Sequence, residues 1–429
     1  MVFHHADVVE VRAWGQRVGA VAAGRRRDSY VFAYDPEWVA SGREVAPILM
    51  PLDSRRRYSF PALSEETFKF LPPMLADALP DRFGSSLVNA WLARQGVPVS
   101  EITPLDRLAY LGNRGLGALE FVPSTAPNLP APAMLDIKAL VDSARHVISG
   151  ELTSDAAAKD ALRSLISVGT SAGGARAKAI VRWNQTTGEI RPESDTTDAG
   201  FSSWLIKFDG VGVDKQLGSS QSYGRIEYAY SLMAAVAGVQ MAETKLLEEN
   251  GRAHFITRRF DRPDASEKLH LQSLCAVDAV DFNLIETNDY AQYFSAIESL
   301  SLGADAREQA FRRMVFNVFA ANCDDHSKNF AFLMDNTGAW SLAPAYDVTF
   351  AHEPGHKWLS KHLMAVDGKF ADITRDDLMG FADKFSIERA SRIISDIRAA
   401  VGSWTEFATA AGVPAAAREE IAANIRPGT

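Results

Sequence analysis

Apolar and polar residues alternate through Val8-Val9-Glu10-Val11-Arg12-Ala13-Trp14-Gly15, the period of a half-buried strand. Gly15-Gln16-Arg17 turns the chain, Val18-Gly19-Ala20-Val21 resumes the pattern and Ser29–Tyr34 repeats it. A small antiparallel sheet is predicted there. After Phe68-Lys69-Phe70-Leu71-Pro72-Pro73 the apolar residues Leu75, Leu79, Leu87 and Trp91 fall at helical spacing. Ser124–Pro132, with Pro127, Pro130 and Pro132, reads as a stiff linker. Helical patterns follow at 134–148 and 153–165, then short strands from 166 to 260 around one helix near 222–238. From 270 onward helices dominate, interrupted by a hairpin near 330–343. The expected class is α+β: a β-rich N-terminal domain (1–133), a β-rich lobe (134–262) and a helical lobe (263–429). A mostly β half joined to a mostly α half is the layout of a bilobal enzyme with its site in the cleft.

At 429 residues the chain exceeds one ordinary core, and two or three domains are expected. No apolar run reaches the ~18–20 residues of a membrane span. Met1–Asp7 lacks the basic head and apolar stretch of a signal peptide, so a cytoplasmic location and no membrane contact are expected. The two cysteines, Cys275 and Cys323, suit a reducing compartment and have no CxxC partner for zinc. The net charge of −9 argues against autonomous nucleic-acid binding, which usually needs a positive balance. Arg25-Arg26-Arg27 and Arg55-Arg56-Arg57 are local exceptions that read as solvated faces, leaving DNA contact to a partner.

The candidate chemistry centres on Asn322-Cys323-Asp324-Asp325-His326-Ser327-Lys328-Asn329, between an apolar helix and a strand. Asp324 and Asn329 have the D-x-x-x-x-N spacing of a protein-kinase catalytic loop. One carboxylate accepts the proton of an attacking hydroxyl. One loop later an amide oxygen holds magnesium, and a hairpin returns a second carboxylate, Asp347, to the same ion. Asp325 competes with Asp324 for the base role, and the spacing favours Asp324. A polar loop followed by a turn aspartate explains any one of these residues; it explains the ordered set poorly. Upstream, Ser171–Lys178 is a loop of small residues that lets backbone N–H groups approach phosphates, although a plain glycine turn has the same look. Lys207, inside the apolar strand Trp204–Phe208, needs an anion or a path to water. Glu227 on the next helix is a candidate to orient it. Arg258, Arg259 and Phe260 end a strand where the halves join and are hinge candidates beside an adenine, or exposed strand-end arginines.

These residues together resemble HipA-type serine/threonine kinases, the toxins of bacterial toxin–antitoxin pairs, over nearly the whole chain. Trp14-Gly15-Gln16-Arg17-Val18-Gly19 and Tyr34-Asp35-Pro36-Glu37-Trp38 look like that family's N-terminal domain. The Ser171–Lys178 loop, Ile206-Lys207, Arg259-Phe260-Asp261-Arg262, Asp324–Asn329 and Tyr346-Asp347 follow in the family order. The resemblance implies a protein-kinase-like pair of lobes behind a HipA-type N-terminal domain. It implies Asp324 as base, Asn329 and Asp347 as Mg2+ ligands, and Lys207 on the ATP phosphates. Gly173, Gly174, Ala175, Arg176, Lys178, Arg258, Arg259, Phe260 and His326 would also bind ATP, and Ser171 would be autophosphorylated. It implies a helix-turn-helix antitoxin (HipB-like) that carries most of the DNA contact. The implied substrate is a protein, with an aminoacyl-tRNA synthetase as the first guess. Cys323 departs from ordinary protein kinases, which have arginine before the base. A small-molecule kinase and a catalytically dead repressor subunit are the rival readings. The N-terminal domain speaks against the first, and the intact Lys207, Asp324, Asn329 and Asp347 against the second.

Overall fold

A computed structural model of the chain describes residues 3–24, 29–127, 134–149, 162, 165–166, 177–193, 198–209, 222–249, 251–264 and 267–426. Strands β1 (Val8–Ala13), β2 (Gln16–Ala23), β3 (Tyr30–Tyr34) and β4 (Leu119–Val122) form an antiparallel sheet in the order β3-β2-β1-β4. Trp14 and Gly15, both at positive φ, make the two-residue turn between β1 and β2, the conformation whose twist matches a hairpin. Trp14 holds that backbone despite its bulk because its ring stacks on Trp38 and its indole N–H donates to the Lys268 carbonyl at 2.6 Å. The buried face of the sheet (Val9, Val11, Val21, Phe32) packs on Leu105 and Leu108, and the same core takes in Cys275 and Met334 from far along the chain.

A second antiparallel sheet has the order β6-β5-β7-β9-β8, from β5 (Lys178–Trp183), β6 (Ile190–Pro192), β7 (Ser202–Lys207), β8 (Thr244–Glu249) and β9 (Arg252–Arg258). Ala179, Val181, Trp204 and Ile206 pack on Phe83, Leu87, Tyr110 and Val141, so helices on both sides of the linker cover part of this sheet. Because strand side chains alternate, Lys207 leaves on the face opposite Ile206. The helix Tyr223–Val236 crosses there. A Cβ on Gly224 would lie 2.0 Å from the Ala253 carbonyl oxygen, so glycine is what admits this helix against β9. Glu227, three residues on, shares the sheet-facing side.

The rest is largely helical, built on Tyr290–Ser299, Gly303–Phe319, Arg375–Lys384, Ala390–Gly402 and Trp404–Ala410. Short strands β10 (His270–Ser273), β11 (Asn288–Asp289), β12 (Ala331–Met334), β13 (Trp340–Leu342) and β14 (Met364–Ala365) decorate it, with β12 and β13 forming the expected hairpin. The architecture is the α+β, bilobal arrangement anticipated above. Among the described residues no helix is long and apolar enough to cross a membrane.

The joint between the parts is a buried ionic knot. Asp261 accepts from Arg259 (3.0 and 2.6 Å), from Arg262 (2.9 Å) and from the Gly117 N–H (2.7 Å), while Arg259 also donates to the Gly115 carbonyl. Burial alone would raise the Asp261 pKa, but Arg259 and Arg262 outweigh it and hold it at about 2. Its folded value lies below the ordinary one of about 4, so its contribution is complete above that pH and is lost as pH falls toward 2. Asp261→Ala removes the carboxylate shared by two buried guanidiniums. It is expected to cost about 3–5 kcal/mol, read as a lowered denaturation midpoint. An unchanged midpoint would show that the knot adds nothing to stability.

Candidate active site

The helix Gly303–Phe319 delivers the catalytic-loop candidate, and its terminus is held in place. Cys323 N–H donates to the Ala351 carbonyl at 2.9 Å and Ala351 N–H to that of Ala321 at 3.2 Å. Asn322 donates to the Asn317 side chain, which donates to the Tyr290 hydroxyl, which donates to Asp325 at 2.8 Å. Asp325 is 1% exposed and also accepts from the Leu363 N–H at 2.7 Å and pairs with His362 at 2.9 Å. Its oxygens are thereby occupied in fastening the loop to β14. The Asp324 side chain is 45% exposed, with Oδ1 3.7 Å from His326 Nε2. Asn329 donates its amide N–H to the Asp324 carbonyl at 2.8 Å, which leaves its Oδ1 turned away from that bond.

The β12–β13 hairpin brings Asp347 back to this loop. Ala345 N–H donates to the Gln240 carbonyl at 2.8 Å, and the Tyr346 hydroxyl donates to the Lys328 carbonyl at 2.5 Å. Asp347 sits at φ +55°, a left-handed conformation that aspartate tolerates better than most residues. Its carboxylate meets Lys207 Nζ at 2.5 Å, and the same amine bonds Glu227. Burial disfavours both charges. For Lys207 the two carboxylates outweigh it and raise its pKa. For Asp347, Lys207, Lys178 and His326 outweigh it and hold the carboxyl well below the usual range. Asn329, Asp347, Asp325 and Tyr346 line one cleft.

Thus Lys207, Glu227, Asp324, Asn329, Asp347 and His326 are brought to one place. Lys178, directly across from Lys207 in the β5–β7 register, is buried beside them. Arg259 is drawn away from it: its guanidinium belongs to the Asp261 knot and its backbone N–H donates to Ser203. Arg258 N–H donates to Glu243 and its side chain to the Pro263 carbonyl. Phe260 packs its ring against Tyr346 at 5.6 Å, adjoining the Asp347 segment. Ser171, Gly173, Gly174, Ala175 and Arg176 lie outside the described residues. The donors fit magnesium. Asn329 and Asp347 supply hard oxygens, and Mg2+ takes only one or two carboxylates beside phosphates and water. A cluster of three or more His, Cys, Asp or Glu, as a closed protein cage would require, is absent among the described residues.

Comparison with known proteins bears on the family and the fold. Residues 170–405 match the model of the HipA-like C-terminal domain and residues 9–122 that of the HipA N-terminal domain. The "Putative kinase Y4mE" of Sinorhizobium fredii is 27% identical over 125 residues, a match taking in 27% of this chain and 30% of that protein. This chain therefore aligns with less than a third of that relative's length. A solved complex, the Shewanella oneidensis MR-1 toxin–antitoxin system HipA, HipB and its operator DNA, contains a chain of the same fold. The likeness has a TM-score of 0.65 at 16% identity and covers 97% of this chain and 94% of that one. With one family model spanning more than half of the residues and the other the N-terminal sheet, the chain belongs to the HipA family.

Proposed function

We propose that this chain is an ATP- and Mg2+-dependent serine/threonine protein kinase that serves as the toxin of a toxin–antitoxin pair. The observation that carries the reading is the contact of the buried Lys207 with both Glu227 and Asp347, beside a loop that presents Asp324 and Asn329. A strand lysine held by a helix carboxylate and facing a metal-type acid is the phosphate-handling half of a phosphotransfer site. Lys207 binds the ATP phosphates once it parts from Asp347. Asp324 accepts the proton of the serine or threonine hydroxyl as that oxygen attacks the γ-phosphorus and the bond to ADP breaks. Asn329 and Asp347 would hold magnesium, which when bound neutralises phosphate charge. Asp325, committed to its structural bonds, positions the loop without taking the proton. His326 lies close enough to Asp324 to help orient its carboxylate.

The solved relative is a complex with HipB and operator DNA, which supports a helix-turn-helix antitoxin as partner here. An acidic chain suits that division of labour, with the partner meeting the DNA phosphates. Family resemblance supports Ser171 as an autophosphorylation site and an aminoacyl-tRNA synthetase as the class of substrate. Incubation of the purified chain with labelled ATP, Mg2+ and a cell lysate tests the reading. Label is expected on a protein band and on the chain itself, with phosphopeptide mapping to identify both positions. Label confined to small molecules would favour a small-molecule kinase, and no transfer would favour a catalytically dead subunit.

A further inference from the structure

Residues 73–93 of the N-terminal part reach both lobes through two carboxylates that phosphotransfer itself leaves unused. Asp77, at the end of the helix Pro73–Asp77, accepts from the Ser273 N–H and hydroxyl at 2.7 and 2.8 Å. Its Oδ1 lies 4.0 Å from Nζ of Lys328 in the catalytic loop. Four residues later Asp81 caps the helix Arg82–Ala93, its Oδ1 accepting the Gly84 N–H at 2.6 Å. Its other oxygen, Oδ2, lies 3.9 Å from Nζ of Lys178 in the five-stranded sheet. Oδ2 is buried and accepts no hydrogen bond among the described residues, while Lys178 is 4% exposed. A carboxylate oxygen and an amine so placed compensate each other's burial without being locked together.

We propose that Asp81 is the resident counter-ion of Lys178 and yields that lysine to the nucleotide phosphates, which makes it a positioning residue of the ATP site supplied by the N-terminal part. The inference rests on the kinase reading. Lys178 is faced by Asp81, Asp347 and Glu227 and, on the other sign, by Lys207. Asp347 and Glu227 are both engaged with Lys207, so Asp81 is the carboxylate left to Lys178. Phosphates drawn to Lys207 meet Lys178 as the neighbouring amine on the paired strand. Asp81 then sits a few ångströms from a stronger anion in a buried setting, and a proton relieves the repulsion. The groups facing Asp81 are Lys178 from β5, Lys328 from the catalytic loop, and the N–H groups of Phe83 and Gly84. Burial outweighs them and places its pKa at about 7, so proton uptake costs little near neutrality.

The sign follows from linkage. Nucleotide raises the Asp81 pKa further, so affinity is independent of pH below about 7 and weakens as pH rises above it. Calorimetric titration of the full chain with MgATP, at about pH 6 and about pH 8 and in two buffers of different ionisation heat, reads both affinity and protons. Wild type is expected to take up a fraction of a proton at the higher pH. Asp81→Asn keeps a cap acceptor for Gly84 and removes the charge. It is expected to bind about threefold to tenfold tighter than wild type at about pH 8, to match it at about pH 6, and to lose the proton uptake. Lys178→Met is expected to bind more weakly at both. An Asp81→Asn chain that keeps the wild-type pH dependence, or binds worse at both values, would reduce Asp81 to a helix cap. Wild type that binds nucleotide with no proton uptake overturns the inference by itself, whatever the variants do. Wild type that binds no nucleotide overturns the kinase reading, and this one with it.

Discussion

Asp324→Asn is expected to lower turnover about 10²–10⁴-fold while the chain still folds and binds nucleotide, the loss typical of a positioned proton acceptor. Asp325→Asn is expected to behave oppositely in kind. Asp325 accepts from Tyr290 and Leu363 and pairs with His362 in a buried site, so neutralising it weakens charge-assisted bonds. A stability loss of about 2–3 kcal/mol is expected there, against less than about 0.5 kcal/mol for the half-exposed Asp324. Paired measurements of kcat and of the denaturation midpoint separate the two. An Asp324→Asn enzyme with normal turnover, alongside a stable but inactive Asp325→Asn enzyme, would transfer the base role to Asp325.

Asp347→Asn carries the second large effect. Asparagine suits the left-handed backbone at φ +55°, so the change tests charge and not strain. In magnesium, ATP affinity is expected to fall at least about tenfold, because the ion has few protein carboxylates to begin with. Without magnesium the sign reverses: Lys207 loses a competing carboxylate at 2.5 Å, and ATP binds as well as or better than in wild type. Titrations with and without Mg2+ should therefore cross between the two proteins. Parallel curves would remove Asp347 from the metal site.

The residues with a fixed local spacing were legible from the sequence. Asp324 and Asn329 lie on one loop, Asp347 follows one hairpin, and Lys207 interrupts an apolar strand, so each carries its own signal. The burial that sets Asp325 apart from Asp324 carries none. The partners of Asp325 are 35 to 38 residues distant and have no periodicity to announce them. Arg259 reads locally as a strand-end cation. It is buried because Asp261 is two residues away and because Gly117, 144 residues before Asp261, completes the knot. Asp81 in Leu79-Pro80-Asp81-Arg82 signals only a helix cap. Its approach to Lys178 is a product of how the helix Arg82–Ala93 covers the second sheet. The first three strands were equally plain from alternation, whereas β4 joins β1 only after most of the N-terminal part has intervened.

The hairpin that separates Asn329 from Asp347 is also a plug. Met334 completes the core under the N-terminal sheet, and Trp340 donates to the Glu44 carbonyl at 3.1 Å. On the ribosome, therefore, that first sheet emerges before Met334 is there to complete its core. At ~5–20 residues per second it waits roughly 10–40 s for the hairpin to follow. Asp347 arrives only a dozen or so residues behind Met334. The nascent chain thus gains its shelter and its metal-type carboxylate almost together, and a truncated product ending before the hairpin has neither a finished N-terminal core nor a site.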